Sequence, residues 1–212
     1  MSNAIPVIAV TQRIDNIPGR GELRDALDQR LIRWVGAAGF IPVAVSNAML
    51  DPGIAGPKKI DDWLRSVRPD AVILSGGNDV GEYPERDATE SHLLTWAKRE
   101  RIPVLGICRG LQMMAVWAGT ELIRLEGHVA TRHQLSADPA NDEWPGSVNS
   151  FHNWGFRSAP AEFEIVLRAS DGSVEAMRHP TLAWEGWMWH PEREAVFAAH
   201  DISRFRRLVL GQ

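Results

Sequence analysis

The chain has 212 residues, 44% of them hydrophobic and 24% charged, with a formal net charge of −4 and a single cysteine, Cys108. That length is ample for a buried core. The scattered charges form no Lys/Arg stripe for a nucleic acid, and no apolar run approaches the ~20 residues that span a bilayer. A lone cysteine cannot close an internal disulfide, which fits a reducing cytoplasm, and the opening "MSNAIPVIAVTQR" reads as a strand rather than a signal peptide.

In chain order, "IPVIAV" (5–10) is a short continuous apolar run, the mark of a strand buried on both faces. After a loop with Pro18, Gly19 and Gly21, the spacing of Leu23, Leu27, Leu31, Trp34, Val35 and Ala38 predicts a helix capped by Gly39. That reading puts Arg24 and Asp25 at the helix start, where Asp25 complements the dipole. "FIPVAV" (40–45) is a second strand, "KKIDDWLRSVRP" a short helix ended by Pro69, and "DAVILSGG" (70–77) a third strand running into two glycines. "ATESHLLTWAKRER" is a helix whose approach holds Arg86 and Asp87, and "IPVLGI" (102–107) is a fourth strand. This alternation implies a parallel sheet covered on both faces. Beyond residue 120, "ELIRL", "HQLSA", "SVNSFH", "FEIVLRAS", "SVEAMRH" and "LAWEGWMW" read as short strands, with a hairpin turn at Asp171-Gly172. A last helix is expected from Asp201 as N-cap, burying Ile202, Phe205, Leu208 and Val209. With no repeat or linker, residues 1–212 read as one α/β domain.

The segment Gly106-Ile107-Cys108-Arg109-Gly110 joins a buried strand to a helical pattern. Small residues around the turn permit a nucleophile elbow, which lifts a side chain above the carboxyl ends of the strands. A helix N-terminus also favours thiolate. The plain alternative is a core cysteine. A thiol nucleophile needs a base, and the base needs an orienting group. His190 ends an apolar strand in "WMWHPE", and Glu192, two residues on, shares its face in extended chain. Gly77, in the Gly76-Gly77 pair, and Arg109 can offer backbone N–H groups to an oxyanion. Each piece alone is common; their joint occurrence is specific.

"SGGND", "GICRGLQ", "VNSFHN" and "WHPE", in this order and over nearly the whole chain, resemble the class I glutamine amidotransferase-like family. The resemblance implies a flavodoxin-like three-layer α/β sandwich, with a central mostly parallel sheet and extra antiparallel strands in the C-terminal half. It also implies attack by cysteine on a γ-glutamyl amide without a cofactor. Carried over by motif, Cys108 is the nucleophile, His190 the general base and acid, Glu192 its orienter, and the Gly77 and Arg109 N–H groups the oxyanion hole. Gln112 contacts the γ-glutamyl group, the backbone of Ser150, Phe151 and His152 holds the glutamyl α-carboxylate or α-amine, and Asn78 joins the substrate-binding set. Several stretches resemble the freestanding γ-glutamyl hydrolase branch. "VTQR" with the following segment, "GHV" and "VNSFHN" resemble γ-glutamyl-CDP-amidate hydrolases in particular. γ-Glutamyl-γ-aminobutyrate hydrolysis and a glutaminase subunit remain alternatives, and both a homodimer and a separate synthase partner stay open.

Arg24, Trp154, His128 and His133 are candidate leaving-group contacts. Trp154 either walls the pocket or packs in the core, whereas Trp187 and Trp189 alternate on one strand face and read as core. His128 and His133, in "GHVATRH", invite a zinc reading, but without a second thiol or a zinc signature no metal is expected. A degenerate binding module is the competing class, against which the intact Cys108–His190–Glu192 set argues. A cysteine deglycase or peptidase on a similar scaffold would place its histidine beside the nucleophile in sequence.

Overall fold

The computed structural model describes residues 4–50, 58–137 and 144–211. Strand β1 (Val7–Thr11) is followed by the hairpin β2 (Arg13–Ile17) and β3 (Glu22–Ala26), then α1 (Gln29–Ala37) and β4 (Ile41–Val45). Next come α2 (Lys58–Val67), β5 (Ala71–Leu74), α3 (Pro84–Glu100), β6 (Val104–Ile107) and α4 (Arg109–Trp117). The second half holds β7 (Ile123–Arg124), β8 (Val129–Gln134), β9 (Ser136–Ala137), β10 (Ser147–Phe151), β11 (Trp154–Gly155), β12 (Glu164–Arg168), β13 (Val174–Arg178) and β14 (Trp184–Trp187), closed by α5 (Ala199–Leu210). No described helix is long and apolar enough to cross a membrane.

The main sheet runs β4-β1-β5-β6-β14-β13-β12-β9. Its first five strands are mutually parallel, and β13, β12 and β9 extend it antiparallel. Every residue of β5 and β6 is buried, as their continuous apolar runs require. Successive side chains of a strand point to opposite faces, and the core divides accordingly. Ile8, Val10, Ile73 and Leu105 pack with Trp34 of α1 and Phe205 of α5. Ala9, Val72, Leu74 and Val104 pack with Leu93 of α3 and Leu111 of α4. Trp34 stacks on Phe205 at 4.9 Å between ring centroids, joining the two helices of the first layer. Trp187 and Trp189 are buried in that layer, stacked 5.3 Å apart.

The expected first helix is shorter than its apolar spacing suggested. Gly19 and Gly21, at φ 75° and 61°, turn the chain back, so residues 22–26 pair with β2 instead of coiling. The helix starts at Gln29, where the Asp28 carboxylate caps it by accepting the Arg30 N–H at 2.8 Å. Arg24 therefore lies on a hairpin strand, its Nε 2.7 Å from Glu22 Oε1. Asp25 accepts from Ser46 Oγ and from the Asn47 N–H and Nδ2. Helix α3 begins at Pro84, a favoured first position. Helix α5 begins at Ala199, so Asp201 lies buried in its first turn and is not its cap.

Candidate active site

The strand-to-helix turn at Cys108 is sharp. Cys108 takes φ 50°, ψ −103°, a region that non-glycine residues rarely enter, and its N–H donates to the Trp187 carbonyl at 2.7 Å. The flanking glycines have no alternative. A Cβ on Gly110 would lie 2.1 Å from the Leu74 carbonyl oxygen, and one on Gly106 would lie 2.7 Å from the Gly110 carbonyl carbon and the Leu111 nitrogen. Because β6 and β14 run parallel in register, with Ile107 beside Trp187, their carboxyl ends bring Cys108 and His190 to the same edge.

His190 Nδ1 lies 2.6 Å from Glu192 Oε1, which leaves Nε2 for the Cys108 side chain. The main chain of His190 is clamped by Asn149, whose Oδ1 accepts the His190 N–H at 3.0 Å and whose Nδ2 donates to the His190 carbonyl at 2.9 Å. Arg30 Nε holds the Glu192 carbonyl at 2.8 Å. Burial works to lower the imidazole pKa, but the charge and hydrogen bond of Cys108 and then those of Glu192 outweigh it and raise it to about 9.

The loop after β5 is held from below. Arg86 is fully buried and donates from Nη2 to the carbonyls of Ser75 at 2.7 Å and Gly76 at 3.2 Å, and from Nη1 to the Gly77 carbonyl. Its Nε meets Glu90 Oε1 at 3.1 Å, and Glu90 also accepts from Thr11 Oγ1 at 2.8 Å. Arg109 donates to both Glu90 and Asp87. A balanced cluster of two arginines and two carboxylates, buried except for the partly exposed Asp87, thus ties the Gly76-Gly77 loop to the elbow. Sequence reading passed over Glu90 and took Arg86 as a helix start; their four-residue spacing on α3 was the available signal. Asn149 was missed as well.

A cavity of about 250 Å³ opens at this edge, lined by Gly77, Asn78, Cys108, Arg109, Gln112, Phe151, His152 and His190 among others. Most of the expected site residues therefore meet. Some do so differently than anticipated: the Asn78 amide is spent on the Ile14 main chain, and Ser150 Oγ donates to the His128 carbonyl at 2.7 Å. Gln112 Nε2 donates to the Trp154 carbonyl at 2.8 Å, which orients its amide. Trp154 stands off the cavity lining, its Nε1 bonded to Asp79 Oδ2 at 3.0 Å. The candidate leaving-group residues fare worse. Arg24 is absent from the lining and pairs with Glu22 on its own strand; Arg13 of β2 instead lines an adjoining space of about 60 Å³ with Gly76, Gly77 and His190. His128 and His133 turn inward beneath the β8–β10 hairpin and do not line the cavity.

The fold and this edge define an α/β protein of the class I glutamine amidotransferase type. The chain belongs to the Peptidase C26 family, whose model matches residues 6–192. It is 35% identical over 130 residues to γ-glutamyl-CDP-amidate hydrolase of Campylobacter jejuni, a match covering 58% of this chain and 62% of that protein. It is 26% identical over 224 residues to γ-glutamyl-γ-aminobutyrate hydrolase of Escherichia coli O157:H7, covering 88% of this chain and 85% of that protein. A glutamine-hydrolysing GMP synthase subunit from Pyrococcus furiosus is 26% identical over 156 residues, covering 71% of this chain and 81% of that protein. In fold, a glutamine amidotransferase structure from Thermotoga maritima superimposes with a TM-score of 0.62 at 16% identity, covering 98% of this chain and 84% of that one. These relatives support hydrolysis of γ-glutamyl amides as the activity of the family.

Proposed function

We propose that the protein is a cysteine-dependent hydrolase that releases glutamate from a γ-glutamyl amide, with γ-glutamyl-CDP-amidate as its substrate. The observation that carries this reading is the chain of contacts from Cys108 through His190 to Glu192 at the floor of the cavity. His190 takes the Cys108 proton, and the thiolate attacks the γ-carbonyl. The resulting oxyanion rests on the Gly77 and Arg109 N–H groups; such a donor is worth about 3 kcal/mol. The imidazolium then protonates the departing nitrogen, and the same histidine activates the water that opens the thioester.

The preference for a nucleotide-linked leaving group rests on the similarity to the Campylobacter enzyme. The aminobutyrate amide is the second reading, favoured by the longer match to the Escherichia protein. Glutamate release from glutamine, γ-glutamyl-γ-aminobutyrate and γ-glutamyl-CDP-amidate decides. Turnover of the CDP-amidate at least tenfold above the others in kcat/KM supports the first reading. Preference for the aminobutyrate amide replaces it with the second. Weak release from glutamine alone points instead to a glutaminase awaiting a synthase.

Glu192→Gln keeps the shape of the His190 partner but removes its charge. Loss of an orienting carboxylate costs one to two orders of magnitude less than loss of a nucleophile in hydrolases with comparable triads, so this variant retains measurable turnover where a cysteine variant retains none. Its His190 pKa falls, because one of the groups that raises it is gone. The pH–rate profile of the wild type follows from the same shift. His190 must carry the proton it gives to the leaving group, so kcat/KM falls as pH rises through about 9. The associated stability has the same sign: with the folded pKa above the unfolded value near 6.5, it is fully present below about 6.5 and lost as pH rises through about 9. A kcat/KM profile still rising at pH 10 contradicts the assignment of His190 as the acid.

A further inference from the structure

A second polar cluster lies beneath the β8–β10 hairpin, outside the chemistry proposed above. His128, His133, His152 and Glu175 each direct one ligand atom to a common point, and these atoms all lie within 4.8 Å of one another. Glu175, on β13, is fully buried. Its Oε1 is 3.8 Å from His128 Nδ1, 3.9 Å from His133 Nε2 and 3.6 Å from His152 Nε2. These separations exceed hydrogen-bond length, and none of the three ring nitrogens nor either Glu175 oxygen has a hydrogen-bond partner. A buried carboxylate and three buried imidazole nitrogens left in that state carry a heavy desolvation cost.

The geometry resolves that cost if the point they surround holds a cation. Ligand atoms about 2.1 Å from a tetrahedral ion lie about 3.4 Å apart, so the Glu175–ring separations close by a few tenths of an ångström, and the full set, spread over no more than 4.8 Å, closes by about an ångström at its widest. The outer faces of two rings are already set. His128 Nε2 is 3.2 Å from Asp171 Oδ2, and His152 Nδ1 donates to the Trp154 carbonyl at 2.9 Å. Each bond fixes the ring proton on the far nitrogen and points the lone pair inward, the arrangement that orients metal-binding histidines.

We propose that His128, His133, His152 and Glu175 bind one Zn²⁺ ion in a closed, structural site. Three imidazoles and a carboxylate suit this borderline ion, and four protein ligands leave no open position for chemistry. Two ligands flank and enter β8, one follows β10 and one belongs to β13, so the ion fastens the hairpin to the main sheet. That hairpin delivers Phe151 and His152 to the cavity wall. The spacing 128-133-152-175 matches no short zinc motif, and Glu175 is concealed inside the strand segment "SVEAMRH". That is why the sequence led to the expectation of no metal.

The test uses untagged protein, stripped with a chelator and titrated with ZnCl₂ by calorimetry, alongside Cys108→Ala to remove the only thiol. The expected result is one equivalent of Zn²⁺ per chain in both, with a higher Tm after loading. Co²⁺ in the Cys108→Ala protein gives the visible absorption of a four-coordinate site. His133→Ala, at the least buried ligand, and Glu175→Gln each weaken Zn²⁺ binding at least ~10-fold. Absence of stoichiometric uptake by the wild type overturns the proposal even if a variant fails to fold. So does uptake that is lost in Cys108→Ala, or wild-type affinity in a folded His133→Ala protein.

Discussion

Cys108→Ala abolishes glutamate release from every γ-glutamyl amide while the fold persists. Removing a nucleophile that works as a unit with its base costs on the order of 10⁶ in kcat in a serine protease; here the expected loss is at least ~10⁴-fold, to the limit of detection. The elbow survives because alanine meets the same backbone constraint as cysteine at φ 50° and occupies less space. His190 reports the change independently. Burial is the largest influence on its pKa and acts downward, and Cys108 is the leading influence acting upward. Without the thiol, the imidazole pKa falls from about 9, because its leading upward influence is gone. Histidine NMR titration of both proteins measures this. Turnover above ~1% of wild type in the alanine protein, with its fold intact by circular dichroism, removes Cys108 from the mechanism.

Arg86→Met is the second large effect, and it arises away from the reacting atoms. The guanidinium spans the carbonyls of Ser75, Gly76 and Gly77, and that loop carries one of the two proposed oxyanion donors. With those carbonyls released, the Gly77 N–H loses its fixed aim. Loss of one oxyanion donor costs about 10²–10³ in kcat. Because the donor acts on charge that develops only in the transition state, kcat falls while KM stays nearly constant. Breaking a buried ion-pair cluster also destabilises the fold by about 3–5 kcal/mol. The kcat–KM split, measured well below the variant's Tm, separates the two effects. Arg86→Lys keeps the charge but lacks the planar fork that reaches three carbonyls, so it recovers stability more than rate. A folded Arg86→Met protein with kcat within twofold of wild type shows that the loop is held by other means.

Much of this architecture was legible in the sequence because burial on both faces leaves a distinctive trace. The strands "IPVIAV", "AVIL" and "VLGI" had no polar face to offer, and the alternation with helices gave the parallel order. The elbow at Cys108 was legible because such a turn needs small neighbours, and the glycines at 106 and 110 are seen to be sterically obligatory. Other features were hidden for physical reasons. Leu23 and Leu27 fall on the same period as Leu31, so the helix pattern overran the hairpin. Two positive-φ glycines and the Asp28 cap, local backbone effects, override that periodicity. Arg86 and Glu90 resemble any surface ion pair on a helix; only the packing reveals that both are fully buried. The grouping of His128 and His133 with His152 and Glu175 depends on how a hairpin lies over a distant strand, which no local pattern encodes.

The position of β14 between β6 and β13 has a consequence for how activity arises during synthesis. Cys108 emerges with the first half of the chain, but His190, its partner in the proposed mechanism, follows a strand that inserts between β6 and β13. On the proposed mechanism, a nascent chain that ends before residue 190 carries the thiol without its base, however well its parallel half has folded. The proposed site is complete only when Trp184–Trp187 pairs with Val104–Ile107, segments far apart in sequence whose closure carries an entropic cost. On that mechanism, glutamate release reports that β14 sits between β6 and β13.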